Sequence, residues 1–446
     1  MKRYFEMILE QDQNLCRIID TYSSKDKTYW SFRGRAKRFH CHNLIHYPAM
    51  MVPEMQGELL DVFLNEVENI QSVIDPFVGS GTTLGEALSR GLDFFGIDIN
   101  PLAILACEVK SSALYTKKLQ EKSGLLLKAI KSDKSNVVSK NFFGIDKWFT
   151  KQTQIELSTI YRCIKTESSK WARKVFWLSL SSTVRAVCNS RSSTYKLHIK
   201  PNNEIENIPS AILVFEKTLS KNISNIIEQK EILAKNKVLK SNKSISKVFL
   251  KNTNTSMNIR HNKKYDLLIS SPPYGDNQTT VPYGQFSYLP LMWVDIEDID
   301  NLSQKNLLTN QNSIDFNSLG GSLKNALTKF EEIKSKSKSL VQCAQKIQNI
   351  NPNNTKKLAS FIYDLNQSLI NILKLLKENA YMIWTLGNRR ISNIEVPLDK
   401  IMRELLESMG CHYVYQIERE IPSKRMAKRN SVATTIGNES ILIMRK

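Results

Sequence analysis

Two short stretches of the sequence carry residues whose types and spacing suit a binding or catalytic site. The first is Ser270–Tyr274, SSPPY, which follows the apolar run YDLLI at the end of a predicted strand. Pro272 and Pro273 stop the strand, because proline fixes φ and donates no hydrogen bond. The Ser271 hydroxyl and the Pro272 carbonyl can accept hydrogen bonds, and Tyr274 adds an aromatic face. Such a strand end could hold an amine beside a stacked ring.

These groups would assist methylation of an exocyclic amine on a nucleobase. The amine nitrogen of cytosine or adenine is a poor nucleophile because its lone pair is delocalised into the ring. Acceptors on its hydrogens would make the nitrogen more tetrahedral and free the lone pair. Stacking on Tyr274 would contribute about 1–3 kcal/mol, which offsets part of the cost of extruding a base from a duplex. A plain turn explains the prolines but not the hydroxyl and the phenol around them.

The second stretch, Asp75–Thr83, is DPFVGSGTT, between a predicted strand and a predicted helix. No Lys follows its glycines as in a P-loop, and Leu84 stands where a dinucleotide fingerprint has its third glycine. Gly79 and Gly81 permit a tight turn and close approach of the backbone to a ligand. Asp98, 17 residues beyond Gly81, is placed to accept hydrogen bonds from a ribose diol. The pattern fits an ordinary βαβ turn or a pocket for a nucleoside such as that of S-adenosylmethionine.

Together these stretches resemble the motifs of the S-adenosylmethionine-dependent DNA amino-methyltransferases, which modify cytosine N4 or adenine N6. DPFVGSGTT is similar to their cofactor motif I, GIDIN to motif II and SPPY to catalytic motif IV. HYPAMMVPEM, residues 46–55, resembles motif X, which lines the methionine end of the cofactor. In these families Ser in the first tetrad position is more typical of N4-cytosine enzymes, and Asp or Asn of N6-adenine enzymes.

The resemblance implies a set of site residues. Catalysis is assigned to the tetrad Ser271, Pro272, Pro273 and Tyr274. Binding of S-adenosylmethionine is assigned to residues of motifs X, I and II and to one residue after a third strand: His46, Pro48, Asp75, Pro76, Phe77, Gly79, Ser80, Gly81, Thr82, Asp98, Asn100 and Asn254. No metal is expected, because the group His40, Cys41, His42 and His46 has no partner pair elsewhere to complete a four-ligand zinc site.

Composition bounds the class of protein. The 446 residues include 63 Lys and Arg against 43 Asp and Glu, a formal net charge of +20, which favours a polyanionic partner over a merely solvated surface. A hydrophobic fraction of 41% supports a folded core. Seven scattered cysteines without a C-x-x-C pair argue against a disulfide scaffold. With no long apolar run and no signal-peptide pattern, we expect a cytoplasmic, bacterial protein without a membrane segment.

The elements that must position these residues form a discontinuous pattern. Strands around residues 72–74 and 94–97 flank a helix at 82–90 that Gly91 ends, which predicts adjacent parallel strands. Three further strands, YMIWTLGN, HYVYQIER and SILIMRK, are predicted near the C-terminus, the last two paired antiparallel across a basic loop that includes PSKRMAKRN. A helical face from Leu358 to Leu376 is predicted to end at Asn379.

The expected fold is α/β, a Rossmann-like class I methyltransferase fold with a mostly parallel sheet, an antiparallel C-terminal strand and helical inserts. Residues 1–115, 246–295 and 376–446 would form the methyltransferase core. Residues 116–245 would form a basic helical insert, with twelve Lys and Arg against two acidic residues between positions 217 and 264. Residues 296–375 would form a second helical insert and the candidate target-recognition region.

The expected function is base-flipping methylation of cytosine N4 in double-stranded DNA, in a restriction–modification system with a cognate endonuclease. N6-adenine methylation is the alternative, followed by RNA or protein-glutamine methylation and by an inactive nucleic-acid-binding fold. C5 methylation is disfavoured because no Pro-Cys dipeptide occurs. The recognition sequence and the oligomeric state do not follow from the residues.

Overall fold

The chain is organised around a seven-stranded, mostly parallel β-sheet in the part that the structure describes. The structure is a computed structural model, and it describes residues 2–34, 38–112, 116–236, 238, 246–255, 263–299, 305–421 and 437–446. The strands are β1 Ser72–Asp75, β2 Asp93–Asp98, β3 Ser246–Leu250, β4 Tyr265–Ser270, β5 Leu376–Gly387, β6 Arg390–Ile391, β7 Ile394–Glu395, β8 His412–Glu420 and β9 Asn438–Arg445.

Sixteen α-helices lie in the described part of the chain. They are α1 Lys2–Lys25, α2 Pro53–Glu66, α3 Thr82–Ser89, α4 Pro101–Ser111, α5 Thr116–Ser132, α6 Ile145–Trp148, α7 Lys151–Lys165, α8 Lys170–Val187, α9 Asn202–Glu206, α10 Ala211–Lys235, α11 Tyr283–Trp293, α12 Ser313–Asn317, α13 Ala326–Ile333, α14 Lys338–Ile350, α15 Pro352–Leu373 and α16 Leu398–Glu407. None of the described helices has the length and apolar character needed to cross a membrane.

The order of the strands confirms the predicted fold class. The main sheet runs β3-β2-β1-β4-β5-β9-β8, and the first five strands pair in parallel. Strand β9 then pairs antiparallel with β5, and β8 pairs antiparallel with β9. The predicted pairing of the last two strands is therefore confirmed, and the sheet is the Rossmann-like arrangement expected from the sequence. Strands β6 and β7 form a separate small ribbon.

Successive residues of the buried strands face opposite layers of helices, as the period of two in a strand requires. Val73 and Leu267 belong to one hydrophobic cluster, which also contains residues of helices α4, α8 and α10. Ile74 and Leu268 belong to the other cluster, together with six residues of α15: Leu358, Phe361, Ile362, Leu365, Leu369 and Ile372. The sheet is thus covered on both faces, and α15 serves as one of its covering helices.

The loops at the carboxyl ends of β1 and β2 form as their residue types predict. Gly91 has φ +75° and follows the C-cap residue Arg90, so the predicted end of the helix is confirmed. At the start of α4, the Asn100 side chain accepts a hydrogen bond from the Leu102 amide while Pro101 occupies the first turn. Asn as N-cap followed by Pro is a common way to begin a helix.

One boundary prediction is wrong. Helix α15 ends at Leu373, and strand β5 already begins at Leu376, so Leu376 is a strand residue and Asn379 does not close the helix. Asn379 has φ +61° within an irregular stretch of β5, where the pairing with β4 moves from Leu376 to Tyr381. Its side chain accepts a hydrogen bond from Arg445 at 3.0 Å. Asparagine at position 379 indicated a left-handed conformation, and that conformation occurs at the irregular stretch of β5 rather than at the end of a helix.

Some segments named from the sequence lie partly or wholly outside the described residues. The stretch PSKRMAKRN, residues 422–430, lies outside them entirely, as does much of the basic segment between residues 237 and 262. The described parts of the two predicted inserts contain helices α5 to α10 and α12 to α15.

Candidate functional site

The glycine-containing loop after β1 is held in place by two buried charged side chains. Asp75, at the end of β1, accepts hydrogen bonds from the Ser270 hydroxyl at 2.6 Å and from the Phe77 amide at 3.1 Å. Burial raises the pKa of Asp75 to about 7 although these hydrogen bonds lower it. Lys110 of α4, only 2% exposed, donates to the Gly81 carbonyl at 3.1 Å. Asp75 and Lys110 therefore support the loop from behind.

Gly81 is the glycine that the loop cannot replace. It has φ +75°, a conformation that L side chains rarely adopt, and a Cβ on it would lie 2.9 Å from the Cys107 sulfur. Gly79, with φ +49°, shares the left-handed conformation and turns its amide toward the end of β2. The two glycines confirm the tight turn predicted from the sequence.

Asp98 joins the two strand ends at this loop. One carboxyl oxygen accepts from the Gly79 amide and the other from the Asn100 amide, both at 2.8 Å. Burial raises the pKa of Asp98 to about 6 despite these hydrogen bonds. Each oxygen still has a second lone pair, so the carboxyl group can accept two further hydrogen bonds from a ligand.

Asn100 acts on the site through Tyr47. Its side-chain nitrogen donates to the Tyr47 hydroxyl at 2.9 Å and to the Ser287 hydroxyl at 2.7 Å, while its oxygen caps α4. The ring centroid of Tyr47 lies 5.8 Å from that of Tyr283. These contacts connect the motif-X segment, the end of β2 and helix α11.

A cleft of about 820 Å3, including its mouth open to solvent, lies at the carboxyl ends of the parallel strands. This is the edge at which ligands bind in open α/β sheets. Its lining combines the motif-X segment, the glycine loop, the ends of β2 and β3 and the tetrad: Tyr47, Pro48, Ala49, Met50, Met51, Pro76, Phe77, Val78, Gly79, Ser80, Thr82, Asp98, Ile99, Asn100, Lys251, Asn252, Thr253, Ser271, Pro273, Asn277, Tyr283, Ile314, Ser318 and Leu319.

Most residues assigned from the sequence line this cleft, and the others lie directly behind it or next to it. Asp75 supports the loop and Gly81 is part of it, whereas His46 is exposed beside Tyr195. Asn254 follows the cleft-lining residues after β3, and its side-chain oxygen is buried. Pro272 is buried two residues after the end of β4.

Tyr274 lies beside the cleft and packs against strand β5. A Cβ on Gly387 would lie 2.5 Å from the Tyr274 ring, so the ring rests directly on the glycine backbone. The Ser271 hydroxyl lies 3.2 Å from the Tyr274 hydroxyl, which donates to Glu439 at 2.9 Å. Burial, and then the charge of Glu439, raise the pKa of Tyr274 well above 10, so the phenol stays protonated.

The loop after the tetrad is fastened by a buried ion pair. Arg389 donates to Asp276 at 2.8 Å and to the Thr279 hydroxyl at 3.0 Å, and the two charged side chains are 9% and 6% exposed. Asp315, from α12, accepts from the Gly284 amide at 2.8 Å and holds the first turn of α11. Burial raises the pKa of Asp315 to about 6 although those backbone hydrogen bonds lower it.

The group His40, Cys41 and His42 packs against α3 and does not line the cleft. Ligand-type atoms of the three side chains approach one another within 4.8 Å, and His42 is hydrogen-bonded to Glu86 at 2.8 Å. Although burial alone would raise it, the adjacent histidines lower the pKa of Cys41 to about 6. Gly85 packs so closely that a Cβ would meet the His42 ring at 2.6 Å, so the group seats α3 against the N-terminal segment.

Sequence reasoning missed Tyr47, which lines the cleft, and five residues that support the site: Lys110, Asp315, Arg389, Arg419 and Glu439. Tyr47 lay inside the motif-X stretch and could have been named. The others stand on elements whose register the sequence does not specify. The only local indication that Lys110 has a structural role is its position in a largely apolar helical segment that ends in ACEVK.

Comparison with known proteins places the chain among one class of enzyme. It is 30% identical to the Type II methyltransferase M.MvaI of Kocuria varians over 452 aligned positions, which cover 98% of this chain and 96% of the relative. It is 31% identical to the Type II methyltransferase M.MjaII of Methanocaldococcus jannaschii over 121 positions, 27% of this chain and 21% of the relative. With the Type II methyltransferase M.BsoBI of Geobacillus stearothermophilus the identity is 27% over 110 positions, 25% and 19% of the two chains. No family model and no solved structure matches the sequence.

Proposed function

This chain belongs to the Type II methyltransferases, and on that premise we propose that it transfers a methyl group from S-adenosylmethionine to the N4 amine of cytosine in double-stranded DNA. The observation that supports this activity most directly is the cleft in which the glycine loop, Asp98 and the tetrad serine meet. A restriction endonuclease acting on the same DNA sequence would be its partner in a restriction–modification system.

The residues of the cleft fit S-adenosylmethionine. Asp98 retains acceptor capacity suited to a ribose diol, and the glycine amides leave no phosphate clamp. Apolar side chains such as Phe77 and Ile99 suit an adenine ring, and Pro48 and Met51 suit the methionine chain. When bound, the cofactor supplies an electrophilic methyl group on a sulfonium. We assign its binding to the residues named from motifs X, I and II and to Asn254.

The tetrad would hold and activate the target amine. The Ser271 hydroxyl and the Pro272 carbonyl would accept hydrogen bonds from the two amine hydrogens, which makes the nitrogen more tetrahedral. Proline at positions 272 and 273 contributes no competing donor. Tyr274 would stack on the base once it is extruded from the duplex, as enzymes acting on a paired base require. Ser rather than Asp or Asn in the first position supports cytosine over adenine.

The basic surface and the helical segments suit a nucleic-acid substrate. The net charge of +20 supports binding to a phosphate backbone. We propose that residues 1–115, 246–295 and 376–446 form the methyltransferase core, that residues 116–245 form a basic insert, and that residues 296–375 contribute to target recognition. Helix α15 of that last segment also covers the sheet.

Nucleoside analysis tests the proposal. The full chain is incubated with methyl-labelled S-adenosylmethionine and mixed-sequence duplex DNA, and the DNA is digested to nucleosides and separated. We expect label in N4-methylcytosine. Label in N6-methyladenine would contradict the base assignment while leaving the cleft and tetrad assignments in place. Label confined to RNA or protein in parallel incubations would contradict DNA as the substrate.

A matched tetrad variant separates transfer from binding. Because Tyr274 is assigned to the base and lies outside the cofactor-lining residues, Tyr274→Ala should reduce methyl transfer strongly and leave the affinity for S-adenosylhomocysteine within about twofold. Titration calorimetry measures the affinity, and labelled transfer measures the rate. Loss of cofactor affinity in this variant would contradict the assigned role.

A further inference from the structure

A row of residues across three strands supports the tetrad from the side opposite the cofactor loop. Glu439 of β9 pairs in register with Gly387 of β5 on one side and with Arg419 of β8 on the other. The Tyr274 ring rests on Gly387, and its hydroxyl reaches the neighbouring Glu439. Residues far apart in the sequence are thus brought into one line by the register of the C-terminal strands.

Ser271, Tyr274, Glu439 and Arg419 form a continuous series of polar contacts, which we call the relay. Ser271 Oγ lies 3.2 Å from Tyr274 Oη, and Tyr274 Oη lies 2.9 Å from Glu439 Oε1. Glu439 Oε2 pairs with Arg419 Nη1 at 3.1 Å, and the two charged side chains are 16% and 3% exposed. A buried charge pair with this geometry has little freedom to rearrange.

The chemistry of the end groups fixes the direction of every hydrogen bond in this chain. Arg419 has only donors, and the Glu439 carboxylate has only acceptors. Tyr274 must therefore donate its proton to Glu439, which leaves its oxygen to accept from Ser271. The Ser271 proton is then directed at Tyr274, and the lone pairs of Ser271 remain for another donor. The relay therefore makes the Ser271 hydroxyl, which could otherwise donate or accept, an acceptor for a ligand.

We propose that Glu439 and Arg419 are positioning residues that fix Ser271 as a hydrogen-bond acceptor for the target amine. This inference rests on the proposed function, since an acceptor is what an exocyclic amine requires. A Ser271 hydroxyl turned the other way would donate to the amine nitrogen and occupy the lone pair that has to attack the methyl group. The orientation of the Ser271 hydroxyl proton, which Glu439 and Arg419 set through Tyr274, therefore controls the rate of methyl transfer.

The decisive variant is Glu439→Gln, which keeps the size of the side chain. Arg419 would hold the carbonyl oxygen of the new amide, so that the amide NH2 group would face Tyr274 and donate to it. The hydrogen bonds of the relay then reverse direction: Tyr274 donates to Ser271, and the Ser271 hydroxyl donates toward the amine. We expect the single-turnover rate of methyl transfer to fall by about 100-fold, comparable to the loss of one preorganised hydrogen bond at a reacting group. Affinities for S-adenosylhomocysteine and DNA should stay within about twofold.

Two further variants distinguish this role from a merely structural one. Tyr274→Phe keeps the ring and breaks the same chain, so the double variant with Glu439→Gln should be no slower than the slower single variant. Arg419→Met added to Glu439→Gln frees the amide to rotate and offer its oxygen to Tyr274. That pair should be at least about fivefold faster than Glu439→Gln alone, a rescue that loss of packing cannot produce.

Glu378→Gln is the matched control, because Glu378 lies on the same sheet but is 75% exposed at the other end of β5. It should transfer methyl groups at the wild-type rate. An active wild-type chain whose Glu439→Gln variant keeps the full rate, or whose rescue by Arg419→Met fails, would overturn the relay and leave the proposed function intact. A wild-type chain that methylates no exocyclic amine would overturn the proposed function, and the relay with it.

Discussion

At the scale of single residues, the site depends on carboxyl groups whose pKa burial has raised toward neutral pH. The pKa of Asp98 is raised to about 6, so its carboxyl group becomes protonated as the pH falls through that value. A protonated carboxyl group has fewer acceptor positions for a ribose diol. The charged form should therefore be the one that binds the cofactor.

The first prediction concerns the pH dependence of this binding. The dissociation constant of S-adenosylhomocysteine should be nearly constant above pH 7 and should rise by up to about tenfold per pH unit below pH 6. Calorimetric titrations between pH 5 and pH 8 measure it. In Asp98→Asn binding should be weaker and the rise on the acid side absent. Persistence of that rise in the variant would assign it to another carboxyl group.

A second prediction concerns the contact between Gly387 and Tyr274. Gly387→Ala would place a methyl group 2.5 Å from the ring, so the ring must move off the row that orients it. We expect the transfer rate to fall by at least about tenfold, with a loss of about 1–3 kcal/mol in the free energy of unfolding from overpacking. Single-turnover kinetics and urea denaturation measure the two effects.

Gly124→Ala is the control for that substitution. Gly124 lies in α5 and has open space where a Cβ would stand. The variant should keep the transfer rate and gain about 0.5–1 kcal/mol of stability from improved helix propensity. A Gly387→Ala variant with the control's behaviour would show that the ring does not need its present position.

Much of the site was accessible from the sequence at this scale, because motif residues are local. The hydroxyl, the prolines and the phenol lie in one short stretch, and the glycines lie in another. Their roles could be predicted without knowing how the strands pair. Two of the residues that were missed, Glu439 and Arg419, stand about 150 positions beyond the tetrad. Nothing in their neighbours distinguishes them from ordinary strand-face charges. Only the pairing of β9 with β5 and β8 shows that Glu439 reaches Tyr274 and that Arg419 pairs with Glu439.

At the scale of elements, the loop between β4 and α11 depends on one ion pair. Asp276 follows β4 and Arg389 follows the neighbouring strand β5, and both are nearly buried. Removal of one partner leaves an uncompensated charge, whose cost exceeds the value of the intact pair. The pair thus ties the tetrad loop to the turn that follows β5.

The third prediction follows from that contact. Arg389→Ala should lower the free energy of unfolding by about 3 kcal/mol and reduce methyl transfer, because the loop after the tetrad loses its anchor. Urea denaturation followed by circular dichroism measures the stability. Lys334→Ala, which breaks the exposed pair with Glu331, should cost about 0.5 kcal/mol or less. Equal effects of the two substitutions would contradict the role of the buried pair.

The sequence predicted elements better than their ends. The parallel pair β1 and β2 and the antiparallel strands β8 and β9 were correct, since apolar runs and turn residues mark them locally. The end of α15 was placed six residues too late, because Leu376 continues the helical spacing of apolar residues into β5. An apolar residue at the junction of a helix and a strand fits both periods, so pattern alone could not decide.

At the scale of the whole molecule, the excess of positive charge predicts how DNA binding responds to salt. Each phosphate neutralised on duplex DNA contributes a slope of about −0.9 to the logarithm of affinity against the logarithm of salt concentration. We expect a linear decrease for this chain, with a net charge of +20. Fluorescence anisotropy of a labelled duplex between 50 and about 300 mM salt measures the slope.

The affinity for S-adenosylhomocysteine, measured over the same range, is the control for that experiment. It should change little, because we propose that the cleft binds its ligand through Asp98 and apolar contacts rather than through a phosphate clamp. A DNA affinity that is equally insensitive to salt would remove the argument from surface charge. Which segments deliver that charge to the duplex was not predictable, since it depends on how helices α5 to α10 are placed around the sheet.

The position of β9 has a consequence for the order of assembly. It is the last strand in chain order among those described, yet it lies between β5 and β8 in the sheet. Strand β8 therefore cannot join the sheet before β9 has docked on β5, and Glu439 arrives beneath Tyr274 in that same event. The contacts that hold the glycine loop come from β1, β2 and β4, which precede β9 in the chain, whereas the proposed orientation of the tetrad requires β9. We therefore expect the glycine loop to form before the proposed acceptor orientation of Ser271 during folding.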